Sequence, residues 1–105
     1  EIETAIRCKT PIVVLIWNDC SYGLIEWKQM NHYRRTSNVR FGNPDFVQYA
    51  RSFGAQGYRV ESTAELPAIL EEALASDTVS IIDCPVDYRE NVKLTEQMGT
   101  LVCPT

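Results

Sequence analysis

Pro11-Ile12-Val13-Val14-Leu15-Ile16-Trp17-Asn18-Asp19-Cys20-Ser21-Tyr22-Gly23 is the stretch on which the fold turns. A largely apolar run stops abruptly at Asn-Asp, and the chain then passes through Ser-Tyr-Gly into a second amphipathic run. A buried strand of a parallel sheet reads this way, because helices cover both of its faces and no apolar-polar alternation is needed. Ligands of open α/β sheets bind just past the carboxyl ends of such strands. Asn18 and Asp19 occupy that place, and a carboxylate beside an amide suits a hard divalent cation that also holds phosphate oxygens. An ordinary strand-to-turn junction would use the same residue types, since Asn and Asp are common turn formers.

Working outward, the chain alternates helix and strand. Residues 2–8 place Ile2, Ala5 and Ile6 on one face of a short helix that starts without a cap. A domain rarely begins in this manner, so the chain reads as a piece of something longer. After the strand at 12–17 comes a helix from about 23 to 32, with Leu24, Trp27, Lys28 and Met30 turned inward, and then a polar loop over 33–43. Asn43 is placed to cap the next helix, with Pro44 in the first helical position and Asp45 complementing the dipole. Phe46, Tyr49, Ala50 and Phe53 fall at i, i+3, i+4 and i+7, and Gly54 suits the stop.

Tyr58-Arg59-Val60 is a short strand candidate. Ser62-Thr63-Ala64-Glu65 has capping-box spacing ahead of the apolar stripe Leu66, Ile69, Leu70, Ala73 and Leu74. Pro67 is tolerated there if it lies in the first turn. Val79 to Cys84 forms a second buried strand closed by Pro85, and a last short helix is expected over 90–98. The class is therefore α/β, a three-layer αβα arrangement around a parallel sheet with right-handed crossovers.

Composition bounds the function. The 105 residues make one small domain, 45% hydrophobic and 23% charged, as in ordinary globular proteins. A net charge of −4 argues against a general nucleic-acid binder. The one basic cluster, Arg34, Arg35 and Arg40, reads as a solvated loop. No apolar run is long enough to span a bilayer, and the opening Glu1-Ile2-Glu3 is no signal peptide.

Cys8, Cys20, Cys84 and Cys103 show neither CxxC pairing nor zinc spacing. Cys8 and Cys84 read as small core residues of a reduced, cytoplasmic protein. Cys20 lies in the suspected site loop as a small side chain rather than a nucleophile, because no base is near it in sequence. His32 is the sole histidine and has no partner in sequence. Neither GxGxxG nor GK[ST] occurs, so any phosphate site is built differently from a Rossmann turn or a P-loop.

At this point the residues resemble a known family. Glu3-Thr4-Ala5, the strand ending in Asn18-Asp19, Tyr22-Gly23-Leu24-Ile25 and Asn43-Pro44-Asp45-Phe46 look like the acetolactate synthase group of thiamine-diphosphate enzymes. Ala50-Arg51-Ser52-Phe53-Gly54-Ala55, Val60-Glu61-Ser62, Pro85-Val86-Asp87-Tyr88 and Glu90-Asn91 follow in the same order. The resemblance runs from about residue 1 to residue 99.

It implies that residues 1–105 are the C-terminal portion of a diphosphate-binding domain whose cofactor motif closes at Asn18-Asp19. The opening Gly-Asp-Gly of that motif is not present in residues 1–17. By the same resemblance Asp19 is the side-chain ligand of Mg²⁺ and Ser21 lends its backbone carbonyl. Cys20, Tyr22 and Gly23 lie along thiamine diphosphate, with Gly23 permitting close backbone approach at a helix start. Leu24 either packs beside the cofactor or is a core leucine.

No residue here matches the family's activating glutamate, so no catalytic side chain is assigned. The implied reaction condenses two 2-keto acids, pyruvate foremost, with loss of CO₂, in a homo-oligomer (a dimer or tetramer) free of membrane and nucleic acid. The Asn-Asp variant is similar to the catabolic, flavin-independent branch. Trp27 is out of register with the tryptophan of the biosynthetic synthases, and an FAD requirement is left open. Two alternatives stand beside this reading. One is a benzoylformate-decarboxylase-like or sulfoacetaldehyde-acetyltransferase-like enzyme; the other is a non-catalytic α/β interaction module.

Overall fold

The computed structural model describes residues 1–89. The elements run α1 (Ile2–Arg7), β1 (Val13–Asn18), α2 (Gly23–Tyr33), α3 (Phe46–Ser52), β2 (Gln56–Arg59), α4 (Leu66–Ala75) and β3 (Ser80–Pro85), with a 3-10 turn at Thr63–Glu65 leading into α4. The helix expected over 90–98 lies outside the described residues, as does Cys103.

Two compact units divide the described residues: Glu1–Asn18 with Asn43–Pro85, and Asp19–Gly42 with residues 86–89. The first unit carries the sheet. Its strands are parallel in the order β1-β3-β2, with Val13 opposite Ser80 and Gln56 also opposite Ser80. β3 is central, and Ser80 to Cys84 are all buried there. β1, expected from its apolar run to be buried as well, is not: it lies at an edge of the described sheet, and its Leu15 and Trp17 are exposed.

The two faces of the sheet build separate cores. On one, Ala50, Ala55, Val79 and Ile81 are buried, with Ile2, Ala5 and Ile6 of α1 and Val14 and Ile16 of β1 packed against them. On the other, Ala73, Ile82 and Cys84 are buried beneath Leu66, Ile69 and Leu70 of α4, with Val13 and Tyr58. Alternate residues of each strand therefore face opposite helical layers, which is the expected αβα arrangement. Gly57 lets α3 close on β2: a Cβ built there would stand 2.7 Å from the Val47 carbonyl oxygen.

Several local expectations are corrected. Asp45, not Asn43, caps α3, accepting from the Val47 and Gln48 N–H groups at 2.9 and 3.1 Å. In α3 only Ala50 is buried; Tyr49 and Phe53 are exposed and stack edge-on, 5.2 Å apart. Leu74 is likewise outside the α4 stripe.

The capping box at Ser62 does not form, because Glu65 reaches back to the Glu61 N–H instead, at 3.1 Å. Pro67 sits in the first turn of α4, where it displaces no hydrogen bond. Gly54 follows α3 with φ +77°, the left-handed stop that glycine favours. Cys84 is buried as expected, but Cys8 is exposed past the end of α1. Among the described residues, no helix is long and apolar enough to cross a membrane.

The second unit is built on α2. Lys28, Met30 and Leu24 are exposed rather than turned inward, and Trp27 is half-buried. The helix ends at Arg34, which takes the left-handed conformation with φ 56°.

Candidate functional site

The second unit begins at Asp19, one residue past the end of β1. Its carboxylate folds back on its own turn, Oδ1 accepting from the Ser21 N–H at 3.1 Å and Oδ2 from the Ser21 Oγ at 3.3 Å. This is the side-chain mimic of a backbone turn for which Asp is suited. Cys20 completes it in the left-handed region with φ 54°, unusual for a residue with a Cβ.

Ser21 then stands opposite Arg40 in an isolated antiparallel bridge. The bonds of that bridge come from its neighbours: Tyr22 N–H donates to the Val39 carbonyl at 2.8 Å and Phe41 N–H to the Cys20 carbonyl at 3.1 Å. Ser21 is thus a non-hydrogen-bonded position, whose own N–H and C=O point away from the facing segment. Its N–H is taken by Asp19, and its carbonyl is turned to the same outer side.

The loop is tied down across its length. Val39 is buried, and the Tyr22 and Phe41 rings pack 4.7 Å apart. The Arg40 guanidinium pairs with Glu26 at 2.8 Å, and the Gln29 side chain accepts from the Ser37 N–H at 2.7 Å. The Arg34-Arg35-Arg40 cluster is exposed, as a solvated loop should be.

Gly23 opens α2 beside this turn. A Cβ there would lie 2.9 Å from Asp19 Oδ2, so only glycine lets the carboxylate come this close to the helix start. The N-terminus of a helix favours negative charge. Asp19, Ser21, Gly23 and Leu24 line a depression of about 1020 Å³ together with Trp27 and Met30, the size of a cofactor pocket. Leu24 is 68% exposed, facing outward and not into a core. Cys20 and Tyr22 belong to the turn and do not line the depression.

The donors on offer are a carboxylate and a backbone carbonyl, the hard oxygens that suit Mg²⁺. Gly23 lets that carboxylate stand against the start of α2, so the residues present fit a hard cation held there. Among the described residues, no three His, Cys, Asp or Glu side chains gather as a metal site.

A second cluster occupies the strand ends of the first unit. Asp83 on β3 is only 1% exposed. Its Oδ1 accepts from Asn18 Nδ2 at 3.0 Å, and its Oδ2 from Arg59 Nε at 3.1 Å. Asn18 Oδ1 in turn accepts from Asn43 Nδ2 at 2.7 Å. Arg59 also lies 3.7 Å from Asp45, whose carboxyl is held below the usual range by the Gln48 N–H, then the Val47 N–H and Arg59. Burial, and then the neighbouring Asp83, push the Cys84 thiol up. Sequence reading missed this cluster, although a lone acid in the run Ile81-Ile82-Asp83-Cys84 was a signal for it.

Comparisons with known proteins follow the same lines. Residues 1–84 match the family described as thiamine pyrophosphate enzyme, C-terminal TPP binding domain. The chain is 46% identical to acetolactate synthase of Bacillus subtilis, over 97% of its own length and 19% of that protein's. It is 40% identical to the catabolic acetolactate synthase of Raoultella terrigena, over 93% of this chain and 18% of that one. Against the mitochondrial acetolactate synthase catalytic subunit of Saccharomyces cerevisiae the identity is 31%, over 85% and 13% of the two chains.

A solved structure, the thiamine diphosphate-dependent 4-hydroxybenzoylformate decarboxylase of Rhodococcus jostii RHA1, superposes with a TM-score of 0.73. It covers 82% of this chain and 16% of that one at 24% identity, a likeness of fold. The chain thus spans about a fifth of the length of the two bacterial synthases.

Proposed function

Because the chain belongs to the thiamine pyrophosphate enzyme family, as an acetolactate-synthase-like C-terminal TPP-binding domain, we propose that it supplies the diphosphate-and-ion half of a cofactor site. The intact enzyme condenses two 2-keto acids, with pyruvate as donor and loss of CO₂. It works as a cytoplasmic homo-oligomer. The observation that carries the residue assignment is the Asp19–Gly23 turn, where carboxylate, outward carbonyl and missing Cβ stand together.

Thiamine diphosphate, when bound, supplies the electron sink for decarboxylation and carbon–carbon bond formation. This chain's residues bind and orient. Asp19 and the Ser21 carbonyl hold Mg²⁺, Gly23 admits the diphosphate to the start of α2, and Cys20 and Tyr22 shape the turn from behind. Leu24 offers apolar surface to the rest of the cofactor. The catabolic branch is favoured, since identity rises from 31% with the yeast mitochondrial subunit to 40% with the catabolic enzyme.

The test uses the intact enzyme that carries this chain. Asp19→Ala should raise the Mg²⁺ and thiamine diphosphate requirement steeply, followed by quenching of tryptophan fluorescence and by acetolactate formation. Asp19→Asn should retain much of both, because an amide oxygen still coordinates. Ser21→Ala should do less than Asp19→Ala, since it keeps the backbone carbonyl and loses only the Oγ hydrogen bond to Asp19 at 3.3 Å. Equal losses for all three, or none for Asp19→Ala, would reduce Asp19 to a turn residue.

A further inference from the structure

We propose that Asp83, Arg59 and Asn43 are positioning residues that fix the Asn18 side chain, and with it the strand end from which the Asp19 turn departs. This rests on the reading of Asp19 as an ion ligand. The two members of the Asn18-Asp19 pair then have separate duties: Asp19 faces the cofactor, and Asn18 faces inward as a relay.

The identity of residue 18 follows from its neighbours. Asp83 is acceptor-only, and it meets two donors, Asn18 Nδ2 at 3.0 Å and Arg59 Nε at 3.1 Å. Asn43 presents a third donor, to Asn18 Oδ1 at 2.7 Å. Position 18 must therefore donate on one side and accept on the other, which an amide does and a carboxylate does not. A carboxylate there would be set against that of Asp83 inside the first unit.

Position 83 is constrained in turn. It is 1% exposed, and a carboxyl group so buried is costly unless it is paired and hydrogen-bonded. Arg59 supplies both, its terminal nitrogen also lying 3.1 Å from Asp83 Oδ2. Each partner comes from a different element: Asn18 from β1, Arg59 from β2, Asp83 from β3 and Asn43 from the approach to α3. The relay thereby locks the carboxyl ends of all the described strands, and the peptide joining Asn18 to Asp19 issues from its edge. Residues that orient metal ligands in this indirect way typically change metal affinity by 10–100-fold when altered.

An exchange of side chains tests this in the intact enzyme. Asn18→Asp alone creates a carboxylate pair, and Asp83→Asn alone turns an amide donor toward either Asn18 or Arg59. Combining the two substitutions swaps amide and carboxylate between the positions. The amide now on β3 donates to the carboxylate now on β1 and accepts from Arg59, while that carboxylate also accepts from Asn43, so these three hydrogen bonds are kept. The Mg²⁺ concentration giving half-maximal thiamine diphosphate binding should rise roughly 10-fold or more in each single variant and return most of the way in the double.

Thermal unfolding without cofactor should follow the same pattern. Asn43→Ala, an exposed change that leaves the buried charge paired, should raise the Mg²⁺ requirement with little loss of melting temperature. Additive losses in the double variant overturn the proposal, as does unaltered binding in Asn43→Ala or in both single variants. Asp19→Ala separates the two ideas. If it weakens binding while the exchange shows no rescue, only the relay fails; if it leaves binding unchanged, the cofactor reading fails and the relay with it.

Discussion

Gly23 approaches Asp19 so closely that a methyl group on it would stand 2.9 Å from the carboxylate oxygen Oδ2. Its backbone is ordinary helix, and alanine is the better helix former by up to about 1 kcal/mol. Gly23→Ala should therefore leave the melting temperature of the cofactor-free enzyme unchanged or slightly raised, because the flexible carboxylate moves aside. Titration with Mg²⁺ and thiamine diphosphate should show weakened binding all the same. A variant that is equally stable and equally tight-binding would mean that the close approach has no bearing on the cofactor.

Gly57 makes the opposite kind of contact. Here the obstacle to a Cβ is the backbone of α3, with Val47 O at 2.7 Å and Val47 Cα at 2.9 Å. Gly57→Ala must push helix and strand apart, at a cost of roughly 1–3 kcal/mol, the range seen for overpacked cores. Urea unfolding measures it, and a midpoint equal to the parent's would show that α3 and β2 have slack.

Ser80 is fully buried, and among the described residues its hydroxyl has no hydrogen-bond partner. Such a group loses its hydration and gains nothing in return. Ser80→Ala should raise stability by about 1 kcal/mol, read as a higher melting temperature with unchanged cofactor binding. A fall in stability would point to a bond that the hydroxyl makes after all.

Asp45 gives the first unit an acid-sensitive joint. The Gln48 and Val47 N–H groups and Arg59 hold its carboxyl below the ordinary value of 3.8. A carboxyl whose folded pKa is depressed contributes stability that is full above the unfolded pKa and is lost as pH falls through the folded one. Stability should thus decline below about pH 4 partly through this group. Asp45→Asn should keep the cap, since asparagine caps as well, and flatten that part of the acid limb. An acid limb identical in parent and variant would remove Asp45 from the explanation.

The strands and helices were legible because a strand between two helical layers leaves a largely apolar run, as in Val79–Cys84, and burial on one face of a helix leaves the stripe Leu66, Ile69, Leu70 and Ala73; Ile12–Trp17 has the same apolar run, yet Leu15 and Trp17 in it are exposed. The Asp19–Gly23 turn was legible as well, through the abrupt end of such a run. What sequence patterning did not convey is pairing across distance. Nothing local says that Arg59 and Asn18 share one carboxylate at Asp83, or that Arg40 folds back to bridge Ser21. Caps slipped for a similar reason: Asn43 has the right chemistry for one, but Asn18 claims its amide, and Asp45 takes over. The exposed Leu24 and Met30 have apolar spacing that reads as core in a string of letters, and the spacing cannot tell a core from the lining of an open depression.

The strand order β1-β3-β2 has a consequence for how the molecule comes into being. Among the described residues, β1 and β2 have one common strand neighbour, β3, and it is the last of the three to be synthesised. Val13 waits for Ser80, and so does Gln56. On the ribosome, a nascent chain that has reached α4 has made β1 and β2 but not the described strand that joins them. Sheet formation is then a late event that closes long loops at once, a topology that folds slowly and leaves apolar strands open to wrong partners in the meantime. Chains stalled just before Ser80 should be cut readily by protease, and chains stalled well beyond Pro85 should resist it.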